Sequence, residues 1–206
     1  MKKITFILVF ISYVSFAQNY TYIDFGITTQ ETVGDWNNVS VVGGGDAVGI
    51  TLGLNDSTGA STGFTLEIND AFDSANTAGS QMPDASIPFP DTASRDSFFG
   101  ETSTFGGDLE PTGGFILTGL DPTKYYSFSI FASRNNVTDN REAQYTVTGS
   151  TTEVVALNPS NNTMNTAEVL NIQSNASGEI TLVAEPGPNN DNSCLLYTSP
   201  SPRDRG

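Results

Sequence analysis

The chain has 206 residues, with 23 acidic side chains against eight basic ones, no histidine and one cysteine, for a net charge of −15. A field of that sign repels nucleic acid and anionic membranes. The missing histidine removes Ser-His-Asp and Cys-His triads, and with them the common histidine-based zinc and iron sites.

Residues 1–17 have the build of a secretory signal peptide. Lys2-Lys3 precede the apolar run Ile4 to Val14, and Ser15-Phe16-Ala17 offers small residues where signal peptidase cuts. The run is short for a membrane span. The expectation is a mature chain from Gln18, secreted or held at the cell surface, with no membrane insertion. Residues 18–193 form the one expected domain. Its four basic residues, Arg95, Lys124, Arg134 and Arg141, stand against 22 acidic ones, a net −18. It holds no cysteine, so no disulfide braces it and an apolar core must.

Tyr20 to Phe25 is the first expected strand, closed by Gly26. Thr28 to Val39 is polar and carries the only tryptophan, in Asp35-Trp36-Asn37-Asn38. Gly43-Gly44-Gly45 is a turn and no phosphate loop, because no Gly-Lys-Ser/Thr accompanies it. Ile50, Leu52 and Leu54 alternate, as do Phe64, Leu66 and Ile68. The turn residues Asn55 to Gly59 join them as a hairpin. Asn69 to Pro111 is a long Asp-, Ser- and Pro-rich insertion. Asp91 to Gly100 is expected to hold a short helix, capped by Asp91 and stopped by Gly100, with Phe98 and Phe99 pinning it.

The clearest signal lies between Gly113 and Gly149. Phe115 to Leu120 is apolar and ends in the Asp121-Pro122 turn. Tyr126, Phe128, Ile130 and Ala132 share one face of the next strand, with Phe131 left to pack against a loop. Ala143, Tyr145 and Val147 share a face of the one after. The polar loop Arg134 to Asn140 joins them, and the expectation is an antiparallel pair. The pattern GLDPTKYYSFSIFASRN, then R-x-x-x-Y-T-V-T-G, with YIDFG and DWNNV upstream, resembles secreted bacterial modules of the galactose-binding-like, jelly-roll type. The resemblance spans roughly residues 20–185. It implies an accessory module of a larger carbohydrate-active or surface protein, with a glycan as ligand and the rest of that polypeptide as partner.

Further strands are expected at Glu153 to Leu157, at Ala167 to Ile172, and at Ile180 with Leu182, ended by Pro186-Gly187-Pro188. Cys194 to Gly206 changes character abruptly and reads as a non-native or disordered tail, similar to an adapter read-through. The fold class is therefore all-β, an antiparallel two-sheet sandwich of jelly-roll type with one irregular insertion.

Two residue sets suit a sugar, which needs an aromatic face and planar polar groups. They are Trp36 with Asn37 and Asn38, and the loop set Arg134, Asn135, Asp139 and Arg141. Each has a plainer reading, Trp36 as a core plug and the arginines as partners of Asp139 or Glu142. Asp70 and Asp73 share one loop and could hold a structural calcium, against the reading as solvated acids. No catalytic residue is expected. A spacer or adhesive domain is the alternative to a binding module, and a hydrolase using paired carboxylates comes third.

Overall fold

The computed structural model describes residues 19–42, 47–103 and 109–191, together with the backbone of 195–197 and 200–205. The signal-peptide and Gly43–Gly45 expectations lie outside the described residues. In chain order the elements are β1 (Asn19–Tyr20), β2 (Tyr22–Ile27), β3 (Trp36–Val41), β4 (Thr51–Asn55), β5 (Ser61–Asp70) and β6 (Ser74–Asn76). Then come α1 (Asp91–Ser94), β7 (Ser97–Gly100), β8 (Gly113–Thr118), β9 (Tyr125–Ile130), β10 (Ala143–Thr148) and β11 (Thr152–Leu157). The last are β12 (Ala167–Ile172), β13 (Ile180–Pro186), β14 (Leu195–Tyr197) and β15 (Pro200–Arg205).

The chain is an all-β sandwich with one very short helix. A six-stranded antiparallel sheet, ordered β11-β10-β13-β8-β5-β4, forms one layer. Strict alternation builds it. Tyr145 and Val147, Leu182 and Ala184, Phe115 and Leu117, and Leu66 and Ile68 all turn inward and are buried. Facing them are Phe128 and Ile130 of β9 and Val169 and Ile172 of β12, from a sheet ordered β1-β15-β9-β12. Two smaller sheets, β14-β7-β6 and the parallel pair β2-β3, complete that side. Rings tie the layers together. Phe25 stacks on Phe115 at 5.7 Å, and Phe64 meets the edge of Tyr126 at 5.9 Å. A fully buried ring such as Phe25 or Phe115 contributes about 1.5–3 kcal/mol of transfer free energy.

The β4–β5 hairpin forms as the alternation requires, with Leu52 opposite Leu66. Four expectations need correction. First, β9 and β10 do not pair. β9 lies between β12 and β15, while β10 lies between β11 and β13. Each strand has one apolar face, and the 131–142 connection carries the chain across the sandwich, so those faces meet through the core. Second, the polar stretch from Thr28, where no strand was expected, contains one: Trp36 to Val41 is a strand, parallel to β2. Asn37 disguises it, because asparagine is rare in strands. Third, the helix ends at Ser94, its N-cap is Pro90 without a side-chain bond, and Ser97 to Gly100 is strand β7 paired with β6. Phe98 and Phe99 do anchor the insertion, through a strand. Fourth, Gly26 continues β2 instead of ending it.

Within the expected tail, the backbone of 195–197 and 200–205 forms two paired strands. Pro200 and Pro202 supply no N–H to that ladder.

Candidate functional site

Two distant turns meet at one end of the sandwich. The first follows β4, where Asp56 Oδ1 accepts from Thr58 N (2.9 Å), Thr58 Oγ1 (2.6 Å) and Ala60 N (3.1 Å). The second follows β8, where Asp121 Oδ1 accepts from Thr123 N (2.9 Å) and Thr123 Oγ1 (2.7 Å). Both are Asp-x-Thr Asx-turns, a short polar side chain replacing a backbone acceptor. Each has a fixed anchor. Ser57 N donates to Tyr20 O at 2.7 Å, and Asp121 N donates to the Tyr126 phenol oxygen at 2.9 Å. Gly119 has φ 82° and passes so close to Gly63 that a Cβ would lie 2.6 Å from its carbonyl oxygen. Only glycine lets the second turn approach β5 that closely.

Between the turns lies an open cavity of about 340 Å³. Asn19, Thr21, Asp56, Ser61, Thr62 and Phe64 line one side, and Gly119, Asp121, Lys124 and Tyr126 the other. Hydroxyl, amide, carboxylate and ammonium groups thus surround the edge-to-face pair Phe64–Tyr126. Hydrogen bonds from Thr58 hold the Asp56 carboxyl below the usual range. Those from Thr123 do the same for Asp121, with a smaller contribution from Lys124. Both are therefore ionised at neutral pH. They serve as acceptors and lack the raised pKa that a general acid needs.

Trp36 lies elsewhere, half-buried on β3. It stacks on Tyr22 at 4.9 Å, Tyr22 stacks on Tyr20 at 6.1 Å, and Phe89 packs against Trp36 at a tilt, 6.3 Å away. Phe89 in turn stacks on Phe131 at 5.4 Å, so Phe131 does pack against a loop. Asn37 is buried and fully used. Its amide donates to Tyr22 O (2.8 Å) and Asn55 O (2.9 Å) and accepts from Asn55 N (2.8 Å). Asn38 is used as well, bonded to both the N–H and the C=O of Thr32 at 2.9 Å.

The second expected set is internally bonded too. Arg134 Nη1 donates to Asn76 Oδ1, and Asn135 Nδ2 donates to Gly79 O at 2.7 Å. Arg141 Nε pairs with Asp139 at 2.9 Å. Glu142 instead accepts from Asn189. The structure therefore does not bring Trp36 and the arginine loop into one site. Asp70 ends β5 and Asp73 lies three residues on. Among the described residues no cluster of three or more His, Cys, Asp or Glu side chains could hold a metal.

Asp24 and Asp96 form a sealed acidic pair. They are 3% and 1% exposed. Burial pushes Asp24 up to about 7; the neighbouring Asp96 adds to the rise, while Thr32 and Arg95 oppose it. Burial likewise lifts Asp96 to about 6, against the bond from Ile27 N and the charge of Arg95. Neither is open to a substrate.

Comparison of the chain with protein-family models, curated proteins and solved structures finds no match. The reading of function therefore rests on these residues. The cavity set had one signal in the sequence, the repeated Asp-x-Thr at Asp56 and Asp121. Alone, each is an ordinary turn.

Proposed function

We propose that the chain is a non-catalytic extracellular module that binds carbohydrate, as an accessory part of a larger secreted or surface protein. One observation carries this reading. The cavity between the Asp56 and Asp121 turns combines an aromatic wall with hydroxyl, amide and ionised carboxylate groups. A sugar ring needs that pairing, an apolar face for its C–H surface and acceptors for its hydroxyls. Trp36, half-buried and packed against the rings of Tyr22 and Phe89, is less suited to stacking than Phe64.

The test is a glycan array followed by titration with any glycan retained. Phe64→Ala and Asp121→Asn are expected to weaken binding at least tenfold, and Arg141→Ala to leave it unchanged. Retention of no glycan at all would end the proposal. Unaltered binding by the Phe64 and Asp121 variants would move the site elsewhere.

A spacer or adhesive role is the second reading. Its support is the internal bonding of Arg134, Asn135, Asp139 and Arg141, which leaves that loop a structural part. It predicts no glycan binding and tolerance of every cavity substitution.

A further inference from the structure

Asp24 and Gly26 point to the same side of β2, because side chains alternate along a strand. Opposite Asp24 on β3 stands Asn38. Asn38 grips the backbone of Thr32, and Thr32 N also reaches Asp24 Oδ2 at 3.1 Å. The Asp96 carboxylate lies flat on Gly26, where a Cβ would come within 2.0 Å of Oδ2 and 3.0 Å of Oδ1. Its Oδ2 accepts from Ile27 N at 2.9 Å. Gln30 belongs to the same closure, bonded from its N–H to Ile27 O and from its carbonyl to Arg95 Nη2. A β2 face, the 28–35 loop and the start of β7 thus converge.

Four oxygens of this group, Asp24 Oδ1, Asp96 Oδ1, Thr32 Oγ1 and Gln30 Oε1, and one nitrogen, Arg95 Nε, are buried without a hydrogen-bond partner among the described residues. Thr32 favours the charged form of Asp24 through both its side chain and its backbone N–H. Leaving so many acceptors dry is costly, and a buried uncompensated carboxylate more so. We propose that Asp24, Thr32, Asp96 and Gln30 form a site for a hard, oxygen-seeking cation, with calcium as the fitting ion. Carboxylate, amide and hydroxyl oxygens are the donors calcium takes, in irregular geometry and with water completing the shell. Magnesium, which sheds water reluctantly and demands an octahedron, suits a closed irregular site less well. Arg95 adjoins the pair and opposes a cation, so the affinity belongs with weak extracellular sites, Kd about 10⁻⁴–10⁻³ M. This site is separate from Asp70 and Asp73.

The test uses the full chain, stripped with chelator and titrated with calcium by calorimetry at physiological salt to suppress diffuse binding. One saturable site per chain is expected. Calcium at about ten times Kd should raise the unfolding midpoint by about 3–6 °C, and magnesium by less. Asp24→Asn and Asp96→Asn should abolish both effects, while Asp70→Asn and Asp73→Asn keep them. If the carboxylate variants do not fold, Thr32→Val, which removes only a neutral ligand, should still fold and bind calcium about tenfold more weakly. No saturable calcium binding by the unsubstituted chain overturns the proposal and makes the cluster a water site. Binding that survives in Asp24→Asn and Thr32→Val, or is lost in Asp70→Asn, overturns it too.

Discussion

At Gly26 a hydrogen atom stands where any other side chain would begin, and the Asp96 carboxylate occupies the space. Gly26→Ala would drive that carboxylate off and strand both it and Ile27 N. A loss of about 2–4 kcal/mol is expected in urea unfolding, from overpacking and a broken buried bond together. Asn37 is the second sensitive residue, since it ties β2, β3 and the end of β4 through three bonds. Asn37→Leu keeps the size and loses all three, at about 2–4 kcal/mol by the same measurement. Its role could not be read from the sequence, where an asparagine beside tryptophan suits a ligand contact as well as a buried clamp. Asp56 and Asp121, together with Asp84, contribute to the acid limb of stability, since hydrogen bonds from neighbouring Thr and Ser residues hold all three carboxyls below the usual range. Their folded pKa values are depressed, so their contribution is present above about pH 4 and is lost as pH falls through the folded values. The double variant Asp56→Asn/Asp121→Asn should flatten the fall of the urea midpoint below about pH 4. Above that pH it should run parallel to the unsubstituted chain.

Among the elements, order within the larger sheet sets local stability. β13, β8 and β10 are flanked on both sides, while β4 and β11 lie at the edges of the six-strand order. Hydrogen exchange should therefore be slowest at Tyr145, Leu182 and Phe115 and faster at Val154. Val154 is 53% exposed on its edge strand. Val154→Lys should cost no more than about 0.5 kcal/mol, against about 3–5 kcal/mol for Phe128→Ala in the core. Strand existence was legible wherever alternation was strict, as at Leu66–Ile68 and Tyr145–Val147. Partner choice was not. The same one-faced pattern fits a hairpin and a pair of strands facing across a core, and the sequence distance between β9 and β10 permits both. β7 was hidden for a related reason. Ser97, Phe98, Phe99 and Gly100 are all buried, so no period of two marks the strand.

The whole molecule has a continuous apolar core running from Ile23 to Ala184, joined by residues of every major sheet. Unfolding should therefore be a single transition. Trp36, the only tryptophan, lies in the flanking aromatic row. Its fluorescence midpoint should coincide with that of far-UV circular dichroism in the same urea titration. An earlier fluorescence transition would mean that β2–β3 and the 77–96 segment open independently of the larger sheet.

Composition and alternation settled that this chain is a β-sandwich without histidine chemistry, because a strand that buries one side leaves a period of two that local sequence must obey. Which strands pair, and which polar residues meet, was decided only by the closed fold. The cavity joins Asp56 to Asp121 and the sealed cluster joins Asp24 to Asp96, each across more than sixty residues of chain. Contacts between residues so far apart depend on how the layers stack, and nothing in either local segment records that.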